Sequence, residues 1–259
     1  MTPLLHYTHY PHRSSQSWII IHGLLGCKDN WRNLAKKLSL HSNIYCVDCR
    51  NHGESFHNDS MTYEQMSQDI EQLLQYLSLD KVSIIGHSMG GKIAMHSIQQ
   101  NPNRYDKAII IDIAPKEYDH HHHQSILAAM QSINLTNMQS RTAIDTALAT
   151  SITDQRIRHL VLKNIKRNQN NHFYWQCNIK AIQTHYSAIM ANSLSNTLID
   201  IPSLFIRGEQ SCYINQSNDI ARIKSLFSQA SITTVKGAGH WVQTEKPTEF
   251  TETAIQFLS

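Results

Sequence analysis

The sequence contains no apolar run of membrane-spanning length, so no helical membrane span is expected and the membrane is not an expected partner. Its first fifteen residues are rich in His and Ser and lack the apolar segment of a secretory leader. Cysteine is sparse: five residues, odd in number and irregularly spaced, which argues against a disulfide framework. A reducing, cytoplasmic location is the simplest expectation. A large charge excess of one sign is also missing. The formal net charge is +3, and no basic stripe is interleaved with aromatics, so nucleic acid is not an expected partner. What is present is the composition of a globular chain, 41% apolar and 17% charged over 259 residues. That length suits one α/β domain with an insertion, as a monomer or homodimer. Cys46-Val-Asp-Cys49 matches Cys-x-x-Cys, but it ends a strand pattern instead of opening a helix. Residues three apart on a strand face opposite ways, against a redox or metal pair.

The stretch Ile84-Ile85-Gly86-His87-Ser88-Met89-Gly90-Gly91 organises the rest. An apolar run over residues 82–85 reads as a buried parallel strand. A helical pattern follows and stops at Asn101-Pro102. Gly-x-Ser-x-Gly between strand and helix is the nucleophile-elbow arrangement. Gly86 and Gly90 let the backbone close tightly, leaving Ser88 exposed at a helix N-terminus. There the helix dipole and free N–H groups favour developing negative charge.

A serine nucleophile needs a base within hydrogen-bond reach. Among 17 histidines, His240 is marked by its setting, Gly237-Ala-Gly-His240-Trp241, a turn after the last predicted strand. The order Ser before His also fits the arrangement the elbow implies. An oxyanion would need backbone N–H donors. Met89, directly after the serine, and Leu24, in the loop His22-Gly-Leu-Leu-Gly26, are the expected pair.

Strand patterns at residues 4–9, 18–22, 43–48, 82–85, 107–112, 202–207 and 231–235 alternate with helical ones. This predicts a mostly parallel sheet covered on both faces. The helix over residues 62–77 is capped by Thr62. Helices at residues 214–227 and 248–258 follow the last two strands. The alternation breaks between Asp112 and Ile201. There, helical patterns at residues 122–133, 141–148, 154–165 and 180–191 contain no convincing strand. The expected organisation is therefore a core of residues 1–114 and 198–259, with a helical cap of residues 115–197. The cap would lie over the strand C-termini, where open α/β sheets bind ligands.

Two features invite sharper readings. Residues 120–123 are four histidines. His120 and His123 would share a helix face, but no carboxylate or cysteine pattern completes a metal site. No metal is expected, and a solvated run is the default. The cap also carries eight Lys and Arg against four Asp and Glu, a net +4. Arg156, Arg158, Lys163, Lys166 and Arg167 are assigned to one basic helix. Its default is a solvated face, and its sharper reading is a site for anionic substrate groups.

In order along the chain, His22-Gly-Leu-Leu-Gly26, Asp48-Cys-Arg-Asn-His-Gly-Glu-Ser55, Gly86-His-Ser-Met-Gly-Gly91, Asp112-Ile-Ala-Pro115 and Gly237-Ala-Gly-His-Trp241 span nearly all of it. Together they resemble the YbfF-type bacterial esterases of the α/β-hydrolase superfamily. The resemblance implies an α/β-hydrolase fold and hydrolysis of short- to medium-chain acyl esters, with acyl-CoA thioesters as a further class. It implies no metal or organic cofactor. Carried over residue by residue, it makes Ser88 the nucleophile, His240 the base and Asp112 the acid.

The acid departs from the commoner α/β-hydrolase pattern. After the strand ending at Arg207 the expected Gly-x-x-Asp reads Gly208-Glu209-Gln210-Ser211. Asp112 ends the strand after the elbow unit and should project from the same sheet edge. Its alternative role is to brace the start of the cap. Glu209 is the second candidate acid, and Ser211 is placed to support the triad near His240. Two other functions remain open. One is a carbon–carbon lyase or hydrolase using the same triad. The other is a non-catalytic small-molecule binder, although such proteins often lose a triad residue. Aspartate-nucleophile chemistry is excluded because position 88 is Ser.

Overall fold

A computed structural model describes residues 3–118, 122–192, 194–215 and 217–258. The core elements in chain order are β1 (Tyr7–Tyr10), β2 (Ser17–Ile21), α1 (Arg32–Leu38), β3 (Asn43–Val47), α2 (Tyr63–Tyr76), β4 (Val82–His87), α3 (Met89–Gln100) and β5 (Tyr105–Ile111). Then come α4 (His122–Ser132), α5 (Arg141–Ala149), α6 (Gln155–Lys163), β6 (Ile165–Arg167), β7 (Phe173–Trp175), α7 (Ile179–Thr184) and α8 (Tyr186–Met190). The chain returns through β8 (Ser203–Gly208), α9 (Asn218–Leu226), β9 (Ala230–Val235), α10 (Val242–Glu245) and α11 (Pro247–Leu258).

Seven strands form one sheet in the order β1-β3-β2-β4-β5-β8-β9. Only β1 runs antiparallel to its neighbour. The isoleucine-rich strands β2, β4 and β5 sit at its centre and are buried almost throughout, which requires cover on both faces. One face packs on α2 and α3 through Ile70, Leu73, Ile93 and Ile98. The other packs on α1 and α11 through Leu34, Leu38, Phe250 and Leu258. Helix α2 starts where expected: the Thr62 hydroxyl accepts from Gln65 N–H at 3.3 Å, and the Gln65 side chain returns the bond. Among the described residues no helix is long and apolar enough to cross a membrane.

The segment between β5 and β8 corrects three expectations. It is not strandless, because β6 and β7 form an antiparallel hairpin. Each strand has three residues, too short for alternation to show in sequence. The Asn168 side chain nucleates the turn by accepting from the N–H groups of Asn170 and His172. Lys166 and Arg167 therefore lie on β6 and not on the basic helix, which ends at Lys163. The helix expected over residues 180–191 is broken at His185 into α7 and α8. Farther on, Ile214 lies in the loop before α9, which begins only at Asn218. Of the histidine run, His120 and His121 lie outside the described residues.

A buried lysine ties the inserted segment to the elbow helix. Lys92 Nζ, on α3, donates to the carbonyls of Met190 at 2.9 Å, the last residue of α8, and Ala191 at 2.6 Å, the residue after it. Burial pushes its pKa down to about 7.

Candidate active site

Ser88 sits at the β4–α3 junction with φ +53°, a left-handed conformation that only a tight turn imposes on a non-glycine residue. The turn closes because positions 86 and 90 carry no Cβ. A Cβ at Gly86 would lie 2.2 Å from Gly90 O, and one at Gly90 would lie 2.4 Å from Ile21 O. Ser88 is 9% exposed, more enclosed than its position on a sharp turn suggests. It lines a cavity of about 350 Å³, walled partly by Leu160 of α6 and Trp241.

Asp112 follows β5 with φ +49° and is fully buried. Its Oδ1 accepts from Gly208 N–H at 3.1 Å. Its Oδ2 accepts from His240 Nδ1–H at 2.7 Å and from the Ser211 hydroxyl. The carboxylate therefore fixes the proton of His240 on Nδ1 and leaves Nε2 as the basic nitrogen. Glu209 is exposed, and its carboxylate accepts from Gly237 N–H at 2.9 Å, bracing that turn. Ser88 and His240 line the same cavity without hydrogen-bonding to each other. Such contacts commonly tighten only when substrate is bound.

Two features of the His240 surroundings carry no signal in a one-dimensional pattern. The Tyr213 ring stacks on the imidazole with centroids 3.8 Å apart and planes 17° apart. His87, beside the serine, donates from Nε2 to the His240 carbonyl at 2.9 Å and so pins the turn that carries His240.

The loop holding Leu24 is braced by two more buried histidines. His22 Nε2 accepts from Cys49 N–H at 3.0 Å, so its proton is on Nδ1, which donates to Gly23 O at 2.8 Å. His52 Nε2 accepts from Leu25 N–H at 3.2 Å, and its Nδ1–H donates to Arg50 O at 3.0 Å. The loop carrying His52 is anchored in turn by Asp48, which accepts from Lys28 N–H and Glu54 N–H and pairs with the Lys28 ammonium. Leu24 and Met89 both border a small space next to Ser88. Cys46 and Cys49 are buried free thiols, pushed up by burial, Cys46 to about 12; nothing there suits thiolate chemistry.

Burial also pushes His22, His52 and His87 below the ordinary imidazole range, His52 to about 3. They stay neutral in the folded chain, whereas each takes up a proton near pH 6.5 once unfolded. Below that pH the unfolded state holds more protons, so stability falls as pH falls. The loss per histidine is about 1.4 kcal/mol per pH unit until its folded value is reached. The urea midpoint is expected to fall gently between pH 8 and 7, where buried Lys92 takes up a proton on unfolding, and to drop steeply between pH 6 and 4, where the three histidines do so as well. A midpoint unchanged down to pH 5 would contradict neutral burial of the three rings.

The basic face of α6 resolves into parts. Arg158 turns away to Asp145 at 2.8 Å. Arg156 pairs with Asp154 at 2.9 Å but still borders the cavity, as do His159 and Lys163.

Comparison with known proteins adds to this geometry. Residues 19–247 match the sequence model of a family described as alpha/beta hydrolase fold. The chain is 33% identical over 231 residues to Esterase YbfF of Escherichia coli, covering 88% of this chain and 87% of that one. It is 34% identical over 248 residues to the mouse sn-1-specific diacylglycerol lipase ABHD11, covering 93% of this chain and 80% of the mouse protein. A solved structure described as a marine microorganism esterase superposes with a TM-score of 0.95 at 36% identity, covering 99% of this chain and all of that one.

Proposed function

The chain belongs to the α/β-hydrolase family and is a carboxylic-ester hydrolase, and from that premise we propose that it acts through an acyl-enzyme on Ser88. The observation that carries this reading is the short bond from His240 Nδ1 to the buried Asp112 carboxylate, beside the Ser88 elbow. In this mechanism His240 Nε2 takes the Ser88 hydroxyl proton as Oγ attacks the substrate carbonyl. The N–H groups of Leu24 and Met89 receive the oxyanion. The tetrahedral intermediate collapses, and the proton on Nε2 passes to the departing alkoxide or thiolate. A water molecule then gives its proton to Nε2 and attacks the ester, and collapse of the second intermediate frees the acid and Ser88. Asp112 holds the imidazole in the tautomer this sequence needs and stabilises its charged form.

Residues 115–197 act as the cap that closes the acyl pocket. A cavity of about 350 Å³ with Leu24, Trp31, Leu160 and Trp241 in its wall suits short- to medium-chain acyl groups. Arg156, His159 and Lys163 at its border suit a leaving group that carries phosphates, as acyl-CoA does.

A chain-length series of p-nitrophenyl esters beside matching acyl-CoA thioesters tests both halves. The neutral esters should be hydrolysed with kcat/KM nearly independent of salt. Between 50 and 500 mM NaCl, thioester kcat/KM should fall by about threefold or more, because screening shortens the reach of exposed charges. Lys163→Gln should reproduce much of that loss at low salt. No ester hydrolysis would remove the esterase reading, whereas equal salt sensitivity of the two substrates would remove only the thioester half.

A further inference from the structure

Helix α6 ends directly on the loop that carries Leu24. Asn164, the residue after α6, is 4% exposed, and its Nδ2 donates to Leu25 O at 2.8 Å and to Leu160 O at 3.3 Å. Leu25 has φ +58°, a left-handed conformation that a branched side chain adopts only when its surroundings hold it there. They hold it from both sides: His52 accepts its N–H, and Asn164 donates to its carbonyl.

The peptide planes carry this restraint to Leu24. Leu25 C=O and Gly26 N–H belong to one rigid planar unit and point in opposite directions. While Asn164 holds the carbonyl, Gly26 N–H donates to Gly23 O at 2.9 Å. Gly23 C=O shares its own rigid unit with Leu24 N–H, so fixing the Gly23 oxygen aims the Leu24 N–H the other way. His22 Nδ1–H holds the same oxygen from a second direction.

Resting on the oxyanion role given above to Leu24, we propose that Asn164 is a positioning residue through which the cap sets the aim of the oxyanion donor. Docking of α6 over the cavity and alignment of the Leu24 N–H are then one event. Loss of the Asn164 amide frees the Leu25 carbonyl and lets the turn relax from its left-handed geometry, so the oxyanion is received less well while substrate binding is little affected.

The test uses Asn164→Leu and Asn164→Asp, with Arg158→Gln as the comparison. The last loosens α6 from α5 by breaking the Arg158–Asp145 pair and leaves Asn164 in place. Direct removal of an oxyanion donor costs roughly 10²- to 10³-fold in kcat. Misaiming one should cost less, about 10- to 100-fold for Asn164→Leu, with KM for a p-nitrophenyl ester changed by less than about threefold. Asn164→Asp, which sets a carboxylate oxygen against the Leu25 carbonyl, should lose more. Inhibition by a trifluoromethyl ketone, whose adduct carries the oxyanion, should weaken in proportion to kcat. Arg158→Gln should lower the melting temperature without this paired loss. Asn164 variants with wild-type kcat and ketone affinity would overturn the proposal, as would losses no larger than those of Arg158→Gln. A wild-type enzyme that hydrolyses esters and is inhibited by the ketone leaves the serine-hydrolase reading standing in either case. Failure of the ketone to inhibit wild type would remove both.

Discussion

Ser88→Ala is expected to lower kcat/KM for a short p-nitrophenyl ester by at least roughly 10³-fold, equivalent to about 4 kcal/mol of lost transition-state stabilisation. The substitution removes only the hydroxyl. Alanine keeps a Cβ in the same place, so the left-handed backbone at φ +53° carries the same strain as before. The glycine contacts that close the turn do not involve the hydroxyl either. Circular dichroism and the melting temperature should therefore match wild type, which separates lost chemistry from lost structure. A fluorophosphonate probe should label the wild-type protein on Ser88 and leave the Ala variant unlabelled. Labelling that persists in the variant would place the nucleophile elsewhere.

Asp112→Asn should cost on the order of 10²- to 10⁴-fold in kcat. The hydrogen bonds around the carboxylate indicate how. Gly208 N–H donates to Oδ1, so an asparagine would place its oxygen there to accept that bond. Its NH₂ would then face His240 and Ser211 in place of Oδ2. A donor at that position requires an unprotonated Nδ1, which moves the imidazole proton to Nε2, the nitrogen that must take the proton from Ser88. Glu209→Gln should change kcat by less than about threefold, because its carboxylate meets Gly237 N–H and not His240. The reverse ranking, with both variants folded, would return the acid to the loop after β8.

The succession of strands and helices, and the places of Ser88 and Asp112 at strand ends and of His240 in the turn after the last strand, were legible because each depends on a local pattern. An apolar run, a glycine-bounded turn and a change of period mark β4 and α3 without reference to the rest of the chain. The absence of Asp at position 211 was equally visible, and the structure places the Ser211 hydroxyl on the Asp112 carboxylate. The hairpin of β6 and β7 was hidden because three-residue strands hold too little periodicity. Its basic residues Lys166 and Arg167 therefore read as a continuation of the preceding helix. The stacking of Tyr213 on His240 was hidden for another reason. A tyrosine in a loop has many possible partners, and only the closed fold selects one. The bond from Asn164 to Leu25 joins segments 139 residues apart and leaves no trace in either.

An acid at the end of β5, as proposed above, also changes where along the chain the active site must be assembled. Ser88 and Asp112 are carried by one continuous strand–helix–strand unit, β4, α3 and β5, and lie 24 positions apart (112 − 88). His240 is 128 positions from Asp112. Loop-closure entropy grows with the logarithm of contour length, so bringing in the base costs about 1.5 kcal/mol more than pairing acid and nucleophile. Had the acid followed β8, it would have reached the site with the C-terminal half of the sheet. On the triad proposed above, nucleophile and acid form a local, low-contact-order module that the docking of a single distal turn completes.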